Sequence, residues 1–269
     1  MSEAGPVRRG LHGRVVDELG MRIVGGAWPP GTPLPTEDGL AAGLRVSRTV
    51  VREAIKALQA KGLVEVRPKT GTRVRPRRSW HLLDADVALW RFADMEPGKD
   101  LRELYEVHSS IAASAARLAA TRRTDEQLGE IEAHLRRLDA AVAEPVARRN
   151  AELDFHAAVV DAADNSLLAH VGAIIRVALE SAGRPASFPP DDESTALRVA
   201  LIEAFRGRDP DAAEKAMRML VDLTWEAVAV TATADRPSEP EFVSPHSSSS
   251  ADSVTQARPR PTAGPARGQ

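Results

Sequence analysis

Three basic residues stand four apart at Arg48, Arg52 and Lys56, and the hydroxyls of Ser47 and Thr49 flank the first of them. Guanidinium groups bond bidentately to guanine edges and to phosphate, and short hydroxyls reach either. At helical spacing these side chains share one face, while Val51, Ala54, Ile55 and Leu58 form an apolar stripe opposite. A helix that offers its basic N-terminal end to a major groove needs this layout, and its leading amides favour phosphate as well. A solvated surface helix often shows the same spacing, so the pattern needs a context. Further along, Glu152 and His156 stand one helical turn apart and could do acid–base chemistry. No nucleophile, base and orienting group assemble around them in the sequence, and no glycine-rich phosphate loop occurs. An enzyme is therefore the weaker reading.

The context lies in the elements around the basic helix. Residues 11–26 predict a helix from Leu11, Val15, Leu19 and Ile23, ended by Gly25 and Gly26. Pro29, Pro30 and Gly31 make a turn. Thr36 caps a short helix over 37–42 with Glu37 and Asp38 in its first turn, and Gly43 is expected to break it. Ser47 caps the basic helix, which Gly62 stops. Residues 63–67 and 72–75 alternate like strands about Pro68–Gly71, so they predict a hairpin whose tip carries Lys69 and Gly71. Helix, short helix, basic helix and basic hairpin make a winged helix-turn-helix over 11–78. Lys69 and Gly71 would enter the neighbouring minor groove, where glycine permits close approach.

Charge supports the division. Residues 1–80 hold 15 Lys/Arg against 7 Asp/Glu, whereas 81–234 hold 17 against 27. A basic head on an acidic body suggests that only the head meets a polyanion. Residues 79–99 read as a linker with a short helix near Asp84–Phe92. From 100 to 234 the period is helical throughout, predicting an antiparallel all-α bundle of six to seven helices, with its longest loop near 183–193. The fold class is thus mainly α. Residues 1–10 and the Pro- and Ser-rich tail 235–269 read as disordered. There is no Cys, so no disulfide framework. No stretch approaches the ~18 apolar residues of a membrane span, and no secretory signal opens the chain, which makes the cytoplasm the expected location.

The head is recognisable by three ordered segments. They are Pro30-Gly31-x-x-Leu34-Pro35-x-Glu37, then Val46-Ser47-Arg48-Thr49-x-Val51-Arg52-Glu53, then Gly62-Leu63-Val64 followed by Gly71-Thr72-x-Val74. Together they resemble the winged-helix domain of the GntR family of bacterial regulators. Segments 104–120, 153–168 and 201–217 resemble, in order, the ligand-binding domain of the FadR branch of that family. Residues 76–90 are similar to the linker of a sugar-acid repressor. The resemblance implies a homodimer on palindromic operator DNA, with a small carboxylate effector changing its affinity. By position, Arg48 and Arg52 match arginines that contact operator DNA in the family and Gly71 matches a wing glycine; Thr36, Ser47, Thr49 and Lys69 complete the expected contact surface. Some relatives carry a DNA-contacting Arg where this chain has Asp38.

Many members of the branch hold a divalent metal with one Asp and three His. Those positions fall here on Glu152, His156, Arg198 and Leu220, which implies weak metal binding or none. The family's ligand-facing Arg aligns with His108. The expected effector site is therefore His108, Glu152, His156 and Arg198, with Arg176 beside it. Arg198 is expected to anchor the carboxylate in place of a metal. The reading is a repressor of a sugar-acid operon released by its effector. Its alternative is an architectural DNA-binding protein in which the helical half only dimerises.

Overall fold

Leu11, Val15, Leu19 and Ile23 do fall in one helix, α1 (Leu11–Val24), but only the last three are buried. The structure is a computed structural model that describes residues 10–68, 70–93, 99–141, 144–182 and 192–234. Lys69, the N-terminal segment 1–9, the linker residues 94–98, most of the 183–193 loop and the tail from 235 lie outside the described residues.

The head follows the pattern read from the sequence, with one correction. Thr36 caps α2 (Glu37–Leu44) by accepting from the Gly39 amide. Gly43 does not break this helix; the chain turns two residues later, at Arg45, which takes a left-handed φ of 57°. The helix runs on because Leu44 still packs against the head core, and a glycine inside a helix costs only about 1 kcal/mol. Ser47 caps α3 (Arg48–Ala60), whose Val51, Ala54, Ile55 and Leu58 are buried. Gly62 then takes a φ of 74° so close to the Ser79 carbonyl that no Cβ would fit.

The hairpin pairs β1 (Val64–Arg67) antiparallel with β2 (Gly71–Val74), with Arg67 opposite Gly71 at its end. A further segment, unforeseen in the sequence, lies along β2. Leu34 donates to the Thr72 carbonyl, Val74 to Thr32, and Gly31 to Val74. The wing is thereby fastened to the turn between α1 and α2.

A short helix, α4 (Ala85–Phe92), lies within the segment expected to be a linker. Asp84 caps it, and the Lys61 ammonium sits 2.8 Å from both Asp84 and Asp86, tying the end of α3 to the start of α4. Val87 and Trp90 are buried in the head core, whereas Ala88 and Phe92 are buried in the core of the helical half. Trp90 lies flush on Gly20 of α1, and its Nε1 donates to Asp17. Arg91 pairs with Asp100 and Glu103 in the helix that follows.

That helix is α5 (Lys99–Arg122), followed by α6 (Asp125–Ala140), α7 (Pro145–Ala162), α8 (Ser166–Ser181), α9 (Asp192–Gly207) and α10 (Pro210–Ala234). Ala112, Ala116, Ala119 and Ala120 give α5 a small-residue face, so its neighbours approach closely. α5 packs on α10 and α7, α6 on α7, and α9 on α10. Thr124 and Gln127 cap α6 reciprocally. In the first turn of α8, Leu167 is 72% exposed, and Leu168 packs inward instead.

The contact between α1 and α4 is tight enough to test. A Cβ on Gly20 would stand 2.5 Å from the buried Trp90 ring. Gly20→Ala should lower stability by about 1–3 kcal/mol, read as a lower urea midpoint. Gly129→Ala on the open face of α6, where a Cβ meets nothing, should instead raise it by about 0.5–1 kcal/mol.

Candidate nucleic-acid interface and buried chambers

On α3 the apolar stripe is buried and Arg48, Arg52 and Lys56 are exposed, so the helix presents its basic face outward. The first turn of α2 lies against that face. Arg48 Nε stands 2.8 Å from Asp38 Oδ1. Arg52 donates from Nε and Nη2 to Glu37 Oε2, at 3.2 and 3.0 Å. Both carboxylates occupy a helix N-terminus, where negative charge is favoured. Thr36 and Ser47 are exposed, yet each side-chain oxygen accepts from a helix amide, so their first role here is capping. Thr49 is exposed beside Arg48. Gly71 is exposed at the hairpin end with a φ of 79°, a conformation that suits glycine. An exposed arginine pair, held by acids rather than buried, is available to exchange carboxylate for phosphate or base.

Inside the helical half, two adjoining chambers meet at His108 of α5 and at Leu153 and His156 of α7. The smaller, of about 40 Å³, is bordered by Tyr105, Arg149, Glu152 and Thr224. The larger, of about 240 Å³, is walled by α8 and by aliphatic side chains such as Ile111, Val160 and Ile175, with Arg176 at its edge. The two imidazoles lie edge to face with centroids 5.0 Å apart. Both are buried, and neither Nδ1 has a hydrogen-bond partner. Burial lowers the His108 pKa to about 4 and that of His156, with His108 adding to it, to about 3. Burial pushes the Glu152 carboxyl upward, against the pull of Arg148 and Arg198, and Thr224 Oγ1 lies 3.5 Å from it.

The expected effector residues are only partly brought together. His108, Glu152 and His156 converge. Arg176 reaches the larger chamber but is held by Asp154 and Glu180, at 2.7 and 2.8 Å. Arg198 borders neither chamber; it is buried on α9, 3.2 Å from Thr195 Oγ1 and 3.9 Å from Asp139. Arg149 lines the smaller chamber and was missed. Spacing does not choose it over its neighbour, because Arg148 and Arg149 both fall at helical spacing from Glu152 and His156. Its neighbour Arg148 turns instead to the Leu138 carbonyl.

A divalent metal does not fit the four positions that the branch uses for one. Leu220 is buried in the apolar core and offers no donor. Arg198 places a positive charge within reach of Glu152, whose burial already favours the neutral acid. Among the described residues, no group of three His, Cys, Asp or Glu side chains could hold an ion.

Two outcomes follow from this geometry. Unfolded histidine titrates near 6.5, whereas the native imidazoles resist protonation until about pH 4 and 3. Their stabilising effect is therefore complete above pH 6.5 and is lost as pH falls through that window. Urea midpoints should drop from pH 6.5 to 4, and less steeply in His156→Gln. Arg52→Ala should weaken binding to duplexes of every sequence alike and reduce the slope of log affinity against log salt by about one.

Comparison with known proteins agrees with both halves. Residues 11–74 match the model of the bacterial regulatory proteins of the gntR family, and residues 103–223 match the FCD domain. The chain is 32% identical over 214 residues to the galactonate operon transcriptional repressor of Escherichia coli K12, covering 77% of this chain and 92% of that protein. It is 33% identical over 227 residues to the transcriptional regulator Mce2R of Mycobacterium tuberculosis, covering 80% and 90%. A 30% identical relative is the repressor NanR of Cronobacter sakazakii, with 82% and 88% covered. In fold it is similar to the solved structure of Lar, which controls expression of the Listeria monocytogenes agr system. That match has a TM-score of 0.52 at 18% identity and covers 82% of this chain and 98% of the other. The basic winged helix and the chambered helical half thus belong to one chain of the GntR family of bacterial regulatory proteins, with an FCD domain following the DNA-binding head.

Proposed function

We propose that this protein is a homodimeric transcriptional repressor that leaves its operator when a small carboxylate enters the helical half. It acts by binding and not by catalysis, and works in the cytoplasm; among the described residues no helix is long and apolar enough to cross a membrane. The observation that carries the reading is the placement of α4. α8 forms a wall of the larger chamber and packs on α4, and α4 shares the head core with α1 and α3. A ligand that prefers a different setting of α8 therefore has a mechanical route to the arginine-bearing helix. Linkage requires that such a ligand weaken DNA binding if DNA prefers the other setting.

Within the chamber, Arg149 takes the anchoring role expected of Arg198, since it borders the cavity and a guanidinium suits a carboxylate. His108 and His156 supply uncharged polar edges to the rest of the molecule. The names of the relatives make sugar acids the first class to screen. The aliphatic walls of the larger chamber add small carboxylates with an apolar body.

The test is selection of bound duplexes from a random pool, followed by competition with a panel of small carboxylates. At least one carboxylate should release the selected duplex, and a panel without effect would leave only an architectural role. Arg149→Ala should keep DNA affinity and lose the release, whereas Arg198→Ala should keep both. A chelator should leave the release unchanged, because no metal is needed to hold the acid.

A further inference from the structure

We propose that Asp38 is a positioning residue for sequence reading, holding Arg48 so that one edge of its guanidinium is presented to a guanine. The inference rests on the reading that α3 enters the major groove. A guanidinium has a side edge, formed by Nε and one Nη, and an end edge, formed by both Nη atoms. Asp38 engages Arg48 through Nε, at 2.8 Å. Either edge can bond guanine O6 and N7 together, and this contact occupies the side edge and leaves the end edge to the base.

The platform beneath this contact is firm. Asp38 lies in the first turn of α2, whose start is capped by Thr36, and Arg48 lies in the first turn of α3, capped by Ser47. A long arginine arm is thus tied at both its Cα and its Nε before DNA arrives, so less of its freedom remains to be lost on docking. The carboxylate also opposes a different outcome. If Arg48 swings to a phosphate it abandons Asp38, and Asp38 is then left facing the negative backbone without its partner. Complexes that do not satisfy Arg48 in place are disfavoured, which is discrimination by repulsion as well as attraction.

Arg52 is gripped on the same edge: Glu37 takes its Nε and Nη2 with one oxygen, and the remaining N–H groups of the two Nη atoms leave its end edge open as well. What sets Arg48 apart is its place in the first turn of α3, the end of the helix that leads into the groove. The pair of Asp38 and Arg48 is well exposed and contributes little to stability, so removing it should leave the fold intact.

The test uses the full chain and a duplex selected from a random pool by the wild-type protein. Wild type, Asp38→Ala and Arg48→Ala are titrated by fluorescence anisotropy against this duplex, against a random duplex, and against copies with single guanines changed to 7-deazaguanine. One guanine should prove sensitive, with its replacement weakening wild type by about tenfold. Arg48→Ala should be indifferent to that replacement. Asp38→Ala should lose most of the discrimination at the same guanine while binding the random duplex more tightly. If Asp38→Ala tightens all binding but keeps the full loss at that guanine, Asp38 merely repels DNA and the proposal is overturned. The absence of any guanine that depends on Arg48 overturns it too, and both results leave the groove reading standing. If Arg48→Ala binds the selected duplex as wild type does, the groove reading falls together with the proposal.

Discussion

Burial of α4 on two sides is the constraint on which the rest of the molecule depends. Its Val87 and Trp90 complete the core of the DNA-binding head, and its Ala88 and Phe92 complete the core of the helical half. Either surface left in water would cost hydrophobic stabilisation, so the helix cannot leave one half without exposing apolar area. The Lys61 contacts with Asp84 and Asp86, and those of Arg91 with Asp100 and Glu103, fix the two ends of the same element. A head on a loose tether would be indifferent to the chambers below it. This head is not loosely tethered, and a shift of α8 has somewhere to go.

Burial keeps the histidines uncharged and drives Glu152 toward its neutral form. What remains is a pair of chambers with few fixed charges, where Arg149 lines the smaller and Arg176, held by Asp154 and Glu180, lines the larger. Orphaned Nδ1 atoms on two buried histidines are costly unless a ligand or water meets them. That cost marks the shared wall of the two chambers as the place where a ligand gains most.

Much of the head was legible because its signals are local. Caps at Thr36 and Ser47, the stripe Val51–Leu58 and the stop at Gly62 each act within one or two helical turns. Gly43 misled because a glycine inside a helix is a weak signal that Leu44 packing overrides. The strand-like pairing of 31–34 with β2 was invisible, since Pro33 hides strand character and the partner lies some forty residues away. The bundle was legible as a set of helices, whereas its site was not. The family resemblance names His108, Glu152 and His156, but nothing in the sequence separates Arg149 from the equally basic Arg148. Which of two adjacent arginines faces a cavity depends on helix rotation, and only the packed neighbours set that.

The fit of Trp90 on Gly20 has a consequence on a longer timescale. The two residues are seventy positions apart, yet the space at one is the volume of the other. Neither can drift alone: a larger residue at 20 expels the indole, and a smaller one at 90 leaves a hollow between head and bundle. The chamber walls and the exposed faces of α2 and α3 can change one residue at a time without opening a core. The joint between head and bundle changes only as a pair.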